Sequence, residues 1–596
     1  MLKLKQLFLD ALITMLLFAA LSLLFALLRT NLIWGNVYIE QILANATNTG
    51  NGIADDVIRG YMFFALLPAL ILAFILVGLI KKTRYVLLIV LLCLAYPTYK
   101  LQIIRYIINQ NTYSDIYDKE YIDPQSNTYV FPEHKRNLIV LHMESIESEY
   151  ENPALAGRNL LPALSKIAQE NISFNNFHQL DGQDYTIAAM VASYCGVPFK
   201  LFNNKDFTTF NNFLPRLTCY PQILEQNGYK LYFMKGAPLD FTRTGMFFSS
   251  HGFHDVAGTH EFESRFGLNL TKLQGNSWGF RDSSLYALAK KRLTEIAAQN
   301  TPFVFSMLTV DTHAPDFYLD KQCENTGNNQ ADAVACADFM AADFINWLKK
   351  QKFYSDTTVI ILGDHTQTGG NNMYPQVRNR HIFNAVINSA IPAKPDNQAW
   401  TTVDLPATVL QALGVKYNGK FGLGRSLFGN DDTLFTKYGK DLDNELKKTA
   451  KRYNEFNRTR YVFKPQYNAY GTWGKITPDK IKTYASFSDI SFNAIWLDTL
   501  SFTLPETKAE NIKLNINFKL LFMQQGKRTV TVFANGQKLR EWKFNDGIKQ
   551  PINRSLNIPT YLIDNGKLLL EFKSDTVGFT AAGVGIGIND LTLTED

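Results

Sequence analysis

Two uninterrupted apolar runs open the chain, ALITMLLFAALSLLFALL over residues 11–28 and YMFFALLPALILAFILVGLI over 61–80. Each is close to the ~20 residues that cross a bilayer as a helix. A third run, VLLIVLLCLAY, begins at Val86 and weakens at Pro97, Lys100 and Arg105, so its extension to about Ile107 needs tilt or an interfacial end. The predicted helices are 11–29, 61–80 and 86–107, within a membrane region of residues 1–108. The first run is longer than the ~7–15 apolar residues of a cleaved signal peptide, and further spans follow it.

Beyond a polar linker at 109–135 the pattern changes. Short apolar runs, LIVL at 138–141, KLYFM at 230–234, FVFSMLTV at 303–310 and TVIIL at 358–362, alternate with helical patterns such as 283–298 and 333–350. Buried strands separated by helices predict an α/β domain with a largely parallel sheet over 136–430. Residues 431–470 read as a charged, partly helical connector. After it the period falls to two: Ile512, Leu514, Ile516 and Phe518 alternate with polar residues, and 529–533 faces 539–544 across Asn535-Gly536, a hairpin signal. Residues 471–596 are therefore expected to form an all-β sandwich. Trp542 and Tyr561 there suit either a core or a sugar-binding face, and the module suits a spacer equally well.

Charge and cysteines orient this plan. The 596 residues carry 60 Lys+Arg against 54 Asp+Glu, a net +6 spread along the chain, too dilute for nucleic-acid binding. Lys3 and Lys5 precede the first span, and Lys81, Lys82 and Arg84 separate the second from the third. The basic flanks belong in the cytoplasm, which puts everything after residue 108 on the far side. Cys93 lies in the third run. Cys195, Cys219, Cys323 and Cys336 fall in the exported part, an even number that an oxidising compartment allows to pair, with buried free thiols as the alternative.

Three predicted strands end in residues that bind metals or protons: His142-Met143-Glu144, Asp311-Thr312-His313 and Gly363-Asp364-His365. Ligands of α/β sheets gather outside the carboxyl ends of the strands. Each tripeptide alone reads as well as a turn. Together, Glu144, His313, Asp364 and His365 suit Mn²⁺, Zn²⁺ or Mg²⁺. Thr186 follows the loop 181–185 and precedes an apolar helical stretch. A hydroxyl at a helix start is a nucleophile placed where N–H groups stabilise a phosphate, although a plain capping threonine has the same signature.

This order of residues on an exported α/β domain resembles the alkaline-phosphatase/sulfatase superfamily, in its lipoteichoic-acid-synthase and phosphoethanolamine-transferase branches. More narrowly, TIAAMVASYCGVP, YFMKGAPLDFTRTGMFFSSHGF, NSWGFRDSSL, LTVDTHAPD and GLGRSLFG resemble the bacterial phosphoglycerol transferase I family, which modifies membrane-derived oligosaccharides. The likeness covers about residues 137–429. It implies one divalent cation, Mn²⁺ before Zn²⁺ or Mg²⁺, held by Glu144, Thr186, Asp364 and His365. It also implies Thr186 as the nucleophile, and His313 with Trp278, Arg281 and Asp282 around a glycerol-phosphate headgroup. The Cys195–Cys219 and Cys323–Cys336 pairs look like that family's disulfides. The implied donor is phosphatidylglycerol and the acceptor an osmoregulated periplasmic glucan or another envelope glycan. The enzyme would be a multi-pass protein of the bacterial inner membrane with its catalytic domain in the periplasm. Alternatives are phosphoethanolamine transfer to lipid A or glycan, and a sulfatase-like hydrolase, against which Thr186 argues because sulfatases need Cys or Ser there. A non-catalytic glycan-binding envelope protein is the third alternative.

Overall fold

The computed structural model describes residues 2–34, 37–46, 59–80, 83–200, 213–214, 216–266, 278–367, 373, 377, 379–392 and 398–456, and then 474–476, 495–496, 499–503, 510–520, 528–544, 552–563, 567–574 and 586–595. The chain divides into two compact units, Met1–Leu201 with Thr218–Tyr453, and Phe202–Leu217 with Asn454–Asp596.

The first unit opens with α1 (Leu2–Trp34), α2 (Ile39–Ala46), α3 (Leu67–Leu79, continuing a π-helical turn at Met62–Leu66) and α4 (Thr83–Lys100). Ala11–Ile33 and Arg59–Leu79 are long and apolar enough to cross a membrane. They meet α4 through small and branched residues, among them Ala20, Ala69, Ala73, Val86 and Val90, which let backbones approach closely. Phe63, Phe64, Phe74, Leu91 and Leu92 point outward and exposed, a surface that only lipid suits. The chain is a membrane protein. The third run does not continue straight to Ile107: α4 stops at Lys100, and α5 (Ile103–Asn111) departs at 59°. Gln102, in the left-handed region at φ 52°, ends the helix there.

The central sheet contains β1 (Asn137–Met143), β2 (Lys230–Lys235), β3 (Asp255–Ala257), β4 (Phe303–Leu308), β5 (Thr357–Gly363) and β6 (Asn384–Ile387), in the order β3-β2-β4-β1-β5-β6. All neighbours are parallel except β5 and β6. β4 and β5 are buried at every position, as strands covered on both faces must be. Between the sheet and its helices lies a core that includes Leu141, Phe305 and Val359 from strands. The helices α7 (Asp282–Ala297) and α8 (Asn329–Leu348) contribute Leu285, Leu293, Phe344 and Ile345. The predicted strands are all present. β3 and β6 had no sequence signal, because each is short and at an edge.

Residues 109–135, expected as a polar linker, are packed on this domain. Ile116 and Tyr117 are buried, and buried Glu120 takes Arg425 at 3.1 Å and Lys437 at 2.5 Å. The connector is likewise anchored as far as Tyr453, through buried Leu434, Leu442, Leu446 and Tyr453. Residues 457–470 lie outside the described ones. Both stretches bury a few apolar anchors among many polar residues, a spacing that composition alone does not distinguish from a solvated strut.

In the second unit, β7 (Thr499–Thr503), β8 (Asn511–Leu520), β9 (Arg528–Ala534), β10 (Gln537–Phe544), β11 (Ile552–Pro559), β12 (Lys567–Ser574) and β13 (Ile586–Glu595) form antiparallel sheets. One runs β13-β8-β11 and the other β7-β12-β9-β10. Ile512, Leu514, Ile516 and Phe518 fill the shared core with Val530, Val532 and Phe572. Trp542 belongs to that core, its ring 5.5 Å from Phe518, whereas Tyr561 is exposed. Asn535 and Gly536 both have positive φ, the geometry that suits a two-residue hairpin turn.

Cys195 is bonded to Cys219, and Cys323 to Cys336; Cys93 is free and buried. The second bridge closes a loop of sequence separation 13 onto α8. Chain entropy assigns such a loop roughly 3 kcal/mol. The Cys323→Ser/Cys336→Ser variant is therefore expected to unfold at a lower denaturant midpoint with an unchanged fold, read by equilibrium unfolding of the catalytic domain.

Candidate active site

The carboxyl ends of β1 and β5 lie side by side, and each turns abruptly into ligand-type residues. After β1 the chain passes Glu144 and reverses at Ser145, in the left-handed region at φ 53°. After β5, Asp364 N–H donates to Met143 O at 3.1 Å. Gly363 makes this closeness possible: a Cβ there would stand 1.8 Å from Ile146 O.

Glu144, Asp364 and His365 converge, each offering a ligand atom within 4.8 Å of the others, and all three are buried. The His365 Nδ1–H donates to Thr366 O at 3.0 Å, which leaves Nε2 facing Glu144 Oε1 at 3.6 Å and Asp364 Oδ2 at 3.4 Å. A carbonyl behind the ring is how proteins fix a metal-binding histidine tautomer. Asp364 Oδ1 accepts from Ser145 N at 2.8 Å and His365 N at 2.9 Å. Asp364 Oδ2, buried, has no hydrogen-bond partner. Such an orphaned anionic oxygen beside a carboxylate and an imidazole fits a divalent cation. The electrostatics agree: burial and the Glu144 charge push the Asp364 carboxyl up, while Asp364 and Glu144 hold His365 above its usual value against burial.

Thr186 opens α6 (Thr186–Cys195) as its first helical residue, and the capping position is Tyr185, whose side chain makes no cap bond. The plain-cap alternative thus falls to Tyr185. A small cavity is lined by Thr186, Glu144, Lys235, Phe241, Trp278 and His313, with Gly236, Ala237, Thr242 and Leu308–Val310 completing its wall. His313 Nδ1 is 2.6 Å from Ala314 O and its ring 4.1 Å from Trp278. Nδ1–H donates to that carbonyl, which fixes the tautomer of the ring.

Arg281 and Asp282, expected beside Trp278, do not line the cavity. The Asp282 carboxylate is wholly buried and receives Val310 N at 2.8 Å and Asp311 N at 3.1 Å, while Asp282 N donates to Asp311 Oδ2 at 2.9 Å. This reciprocal pair, both carboxyls pushed up by burial, clamps the loop that carries His313. Arg281 lies over the Tyr318 ring at 4.2 Å, 3.9 Å from Asp320. His142, also at a strand end, is turned into the core against Tyr194 OH at 3.0 Å, and burial lowers it to about 3. It is a neutral core histidine.

Sequence reading missed Lys235, the last residue of β2. Its Nζ donates to Thr244 Oγ1 at 3.2 Å and Phe241 O at 3.3 Å. Burial pulls it down to about 7, against the pull of Asp240, Glu144 and Glu261. A lysine closing a buried apolar strand, in register with Leu308 at the end of β4, was the available signal.

An α/β domain with a carboxylate–imidazole cluster at its carboxyl edge, beside a hydroxyl at a helix start, has a counterpart among known proteins: residues 136–415 match the Sulfatase family. The chain is 32% identical over 417 residues to phosphoglycerol transferase I of Escherichia coli (strain K12 / MC4100 / BW2952), covering 65% of this chain and 52% of that protein. The same figures hold for phosphoglycerol transferase I of Escherichia coli O157:H7. The chain spans about half the length of these curated relatives. Similar solved structures include the lipoteichoic acid synthase LtaP from Listeria monocytogenes, at 19% identity and TM-score 0.41, covering 53% of this chain and 80% of that one. Another is the lipooligosaccharide phosphoethanolamine transferase A from Neisseria meningitidis, at 13% identity and TM-score 0.41, covering 68% and 84%.

Proposed function

We propose that the protein transfers glycerol phosphate from phosphatidylglycerol to a periplasmic glycan through a phosphothreonine at Thr186. The observation that carries this reading is Asp364 Oδ2, buried without a hydrogen-bond partner within the Glu144–Asp364–His365 cluster, next to a cavity that Thr186 also lines. These residues, with Thr186, would hold a divalent cation, Mn²⁺ before Zn²⁺ or Mg²⁺, which acidifies a hydroxyl and shields phosphoryl charge when bound. The Thr186 oxygen, reacting as the alkoxide after its proton has gone to solvent, attacks phosphorus as the P–O bond to diacylglycerol breaks, and His313 Nε2–H protonates the departing oxygen. In the second step the acceptor sugar hydroxyl gives its proton to His313 and attacks phosphorus as the bond to Thr186 breaks. Lys235 faces the phosphate oxygens as a buried hydrogen-bond donor. Asp282 positions His313 through the Val310–Asp311 backbone. Trp278 and Phe241 supply an apolar wall for the glycerol carbons.

The catalytic domain then belongs on the periplasmic face of the inner membrane, beside its lipid donor, a matter of proximity. Incubating the purified full-length chain with phosphatidylglycerol and no acceptor should yield a glycerophosphoryl adduct on Thr186 by intact mass and peptide mapping. A phosphoethanolamine adduct from the corresponding lipid, or none from either, would refute the donor assignment. Lys235→Met is expected to lower turnover by about 10²-fold, as for the loss of one transition-state donor, with metal content unchanged by elemental analysis.

A further inference from the structure

The bend between α4 and α5 sets a surface against the membrane. α4 is 18 residues, about 27 Å at 1.5 Å per residue, which by itself nearly fills a ~30 Å hydrocarbon core. α5 then turns away by 59° and has two unlike faces. One carries Ile104, Ile107 and Ile108, exposed by 63%, 54% and 56%, at the i, i+3, i+4 spacing of a single stripe. The other is fastened to the catalytic domain. Asn109 O accepts from Thr449 N at 3.2 Å, Gln110 O from Thr449 Oγ1 at 2.8 Å, and Arg105 bonds Asn444. Asn444 belongs to α10 (Asp441–Lys447), with α9 (Leu405–Ala412) preceding it in the same unit. α10 also carries Asp441, Asp443 and Glu445, which hydrocarbon would not admit. A helix with isoleucines on one side and that charged helix on the other lies along the boundary between lipid and water. Tyr96 and Tyr99 before the bend, and Tyr113 after it, are all exposed, the residue type that marks a headgroup layer.

α10 reaches further. Asp443 Oδ1 accepts from Asp181 N at 3.0 Å and Lys447 Nζ pairs with Asp181 Oδ2 at 3.0 Å, so the same helix holds the loop that runs from Asp181 to Thr186. Lys447 Nζ also lies 5.0 Å over the ring of Tyr38, just beyond α1, so the ends of α1 and α4 are on one side of the bilayer. We propose that α5 lies in the headgroup layer with Ile104, Ile107 and Ile108 among the upper acyl chains. Through α10 it fixes the Thr186 loop at a set height above the lipid. The occupant of the isoleucine face is the bilayer, because α5 follows within three residues of α4, whose exposed Leu91 and Leu92 face lipid. The height-setting role rests on the lipid-donor reading; the seating does not.

Two measurements on the full-length chain test this. In a Cys93→Ser background, Ile107→Cys and Ile108→Cys would carry an environment-sensitive fluorophore in phosphatidylglycerol/phosphatidylcholine vesicles. Expected is strong quenching by lipids bearing a nitroxide high on the acyl chain, weaker quenching by nitroxides near its end, and none by aqueous iodide. Iodide quenching, deeper quenching exceeding shallow, or shielding from both would each overturn the seating, as water-exposed, membrane-spanning and protein-covered faces respectively. In the second measurement, Ile104→Ser/Ile107→Ser/Ile108→Ser should lose about tenfold in turnover of vesicle-borne phosphatidylglycerol while keeping turnover of its monomeric dihexanoyl analogue within about twofold. Equal loss on both donors, or loss on neither, overturns the height-setting role. If the unsubstituted protein turns over neither donor, the lipid-donor reading fails with it, and the quenching pattern still decides the seating.

Discussion

Thr186→Ala is expected to abolish transfer, by roughly 10³-fold or more as for removal of other enzymatic nucleophiles, while leaving the fold intact. Thr186 is half-buried at the first turn of α6, and the helix behind it is buried from Ile187 to Cys195. The packing that holds α6 therefore does not depend on the threonine methyl and hydroxyl. No adduct should form on incubation with phosphatidylglycerol, and metal should still bind, more weakly by one ligand. Intact mass, turnover and metal content read these separately. Residual transfer above a trace would mean that the acceptor attacks the lipid directly, without a covalent step.

Asp364→Asn is expected to separate metal binding from folding. The substitution keeps Oδ1, which accepts from Ser145 N and His365 N, and removes the charge on the orphaned Oδ2. Metal affinity should fall by at least about 100-fold, since losing even a group that merely orients a ligand costs 10–100-fold. Stability of the metal-free protein should move the other way. The Asp364 carboxyl is raised in the folded state from 3.8 to about 7 by burial and by Glu144, so folding opposes its ionisation. The resulting destabilisation is absent below the ordinary carboxylate range and complete above about pH 7. Metal-free Asp364→Asn should thus melt higher than the metal-free parent at pH 7.5, and the gap should close by pH 4. With saturating cation the order should reverse. A variant less stable under every condition would show that Asp364 serves the fold alone.

The strand ends were legible because buried parallel strands are short apolar runs and chemistry collects where they stop. Reading 138–141 and 358–362 as strands was enough to name Glu144, Asp364 and His365, which the fold then brings within 4.8 Å. Lys235 is not legible in the same way, because a lysine at the end of an apolar strand reads in sequence as the solvated flank of the strand and not as a buried amine. Asp282 and Arg281 behave differently: next to Trp278 in sequence, they do not line the cavity with it, because helix α7 begins at Asp282 and turns that carboxylate to the Val310 and Asp311 N–H groups. Adjacency along the chain survives into space only where no element starts between the residues. The bend at Gln102 was marked in the third run only by its weakening at Pro97, Lys100 and Arg105; isoleucines continue past it, and their pairing with polar residues at helical spacing was the sign of a changed environment.

Gly363 carries no chemistry, yet its consequence for variation is severe. Because any Cβ there would overlap Ile146 O, a saturation library selected for activity should return glycine alone at 363, with the same intolerance as is expected at Glu144 and Asp364 on either side of the contact. Activity selection cannot tell the two kinds of position apart. Selection for a folded, displayed chain can: substitutions at 363 should vanish from that population, whereas Asp364→Asn should persist. Two overlaid maps of tolerance would then separate the residues that the reaction needs from the one that the crossing of two backbones needs.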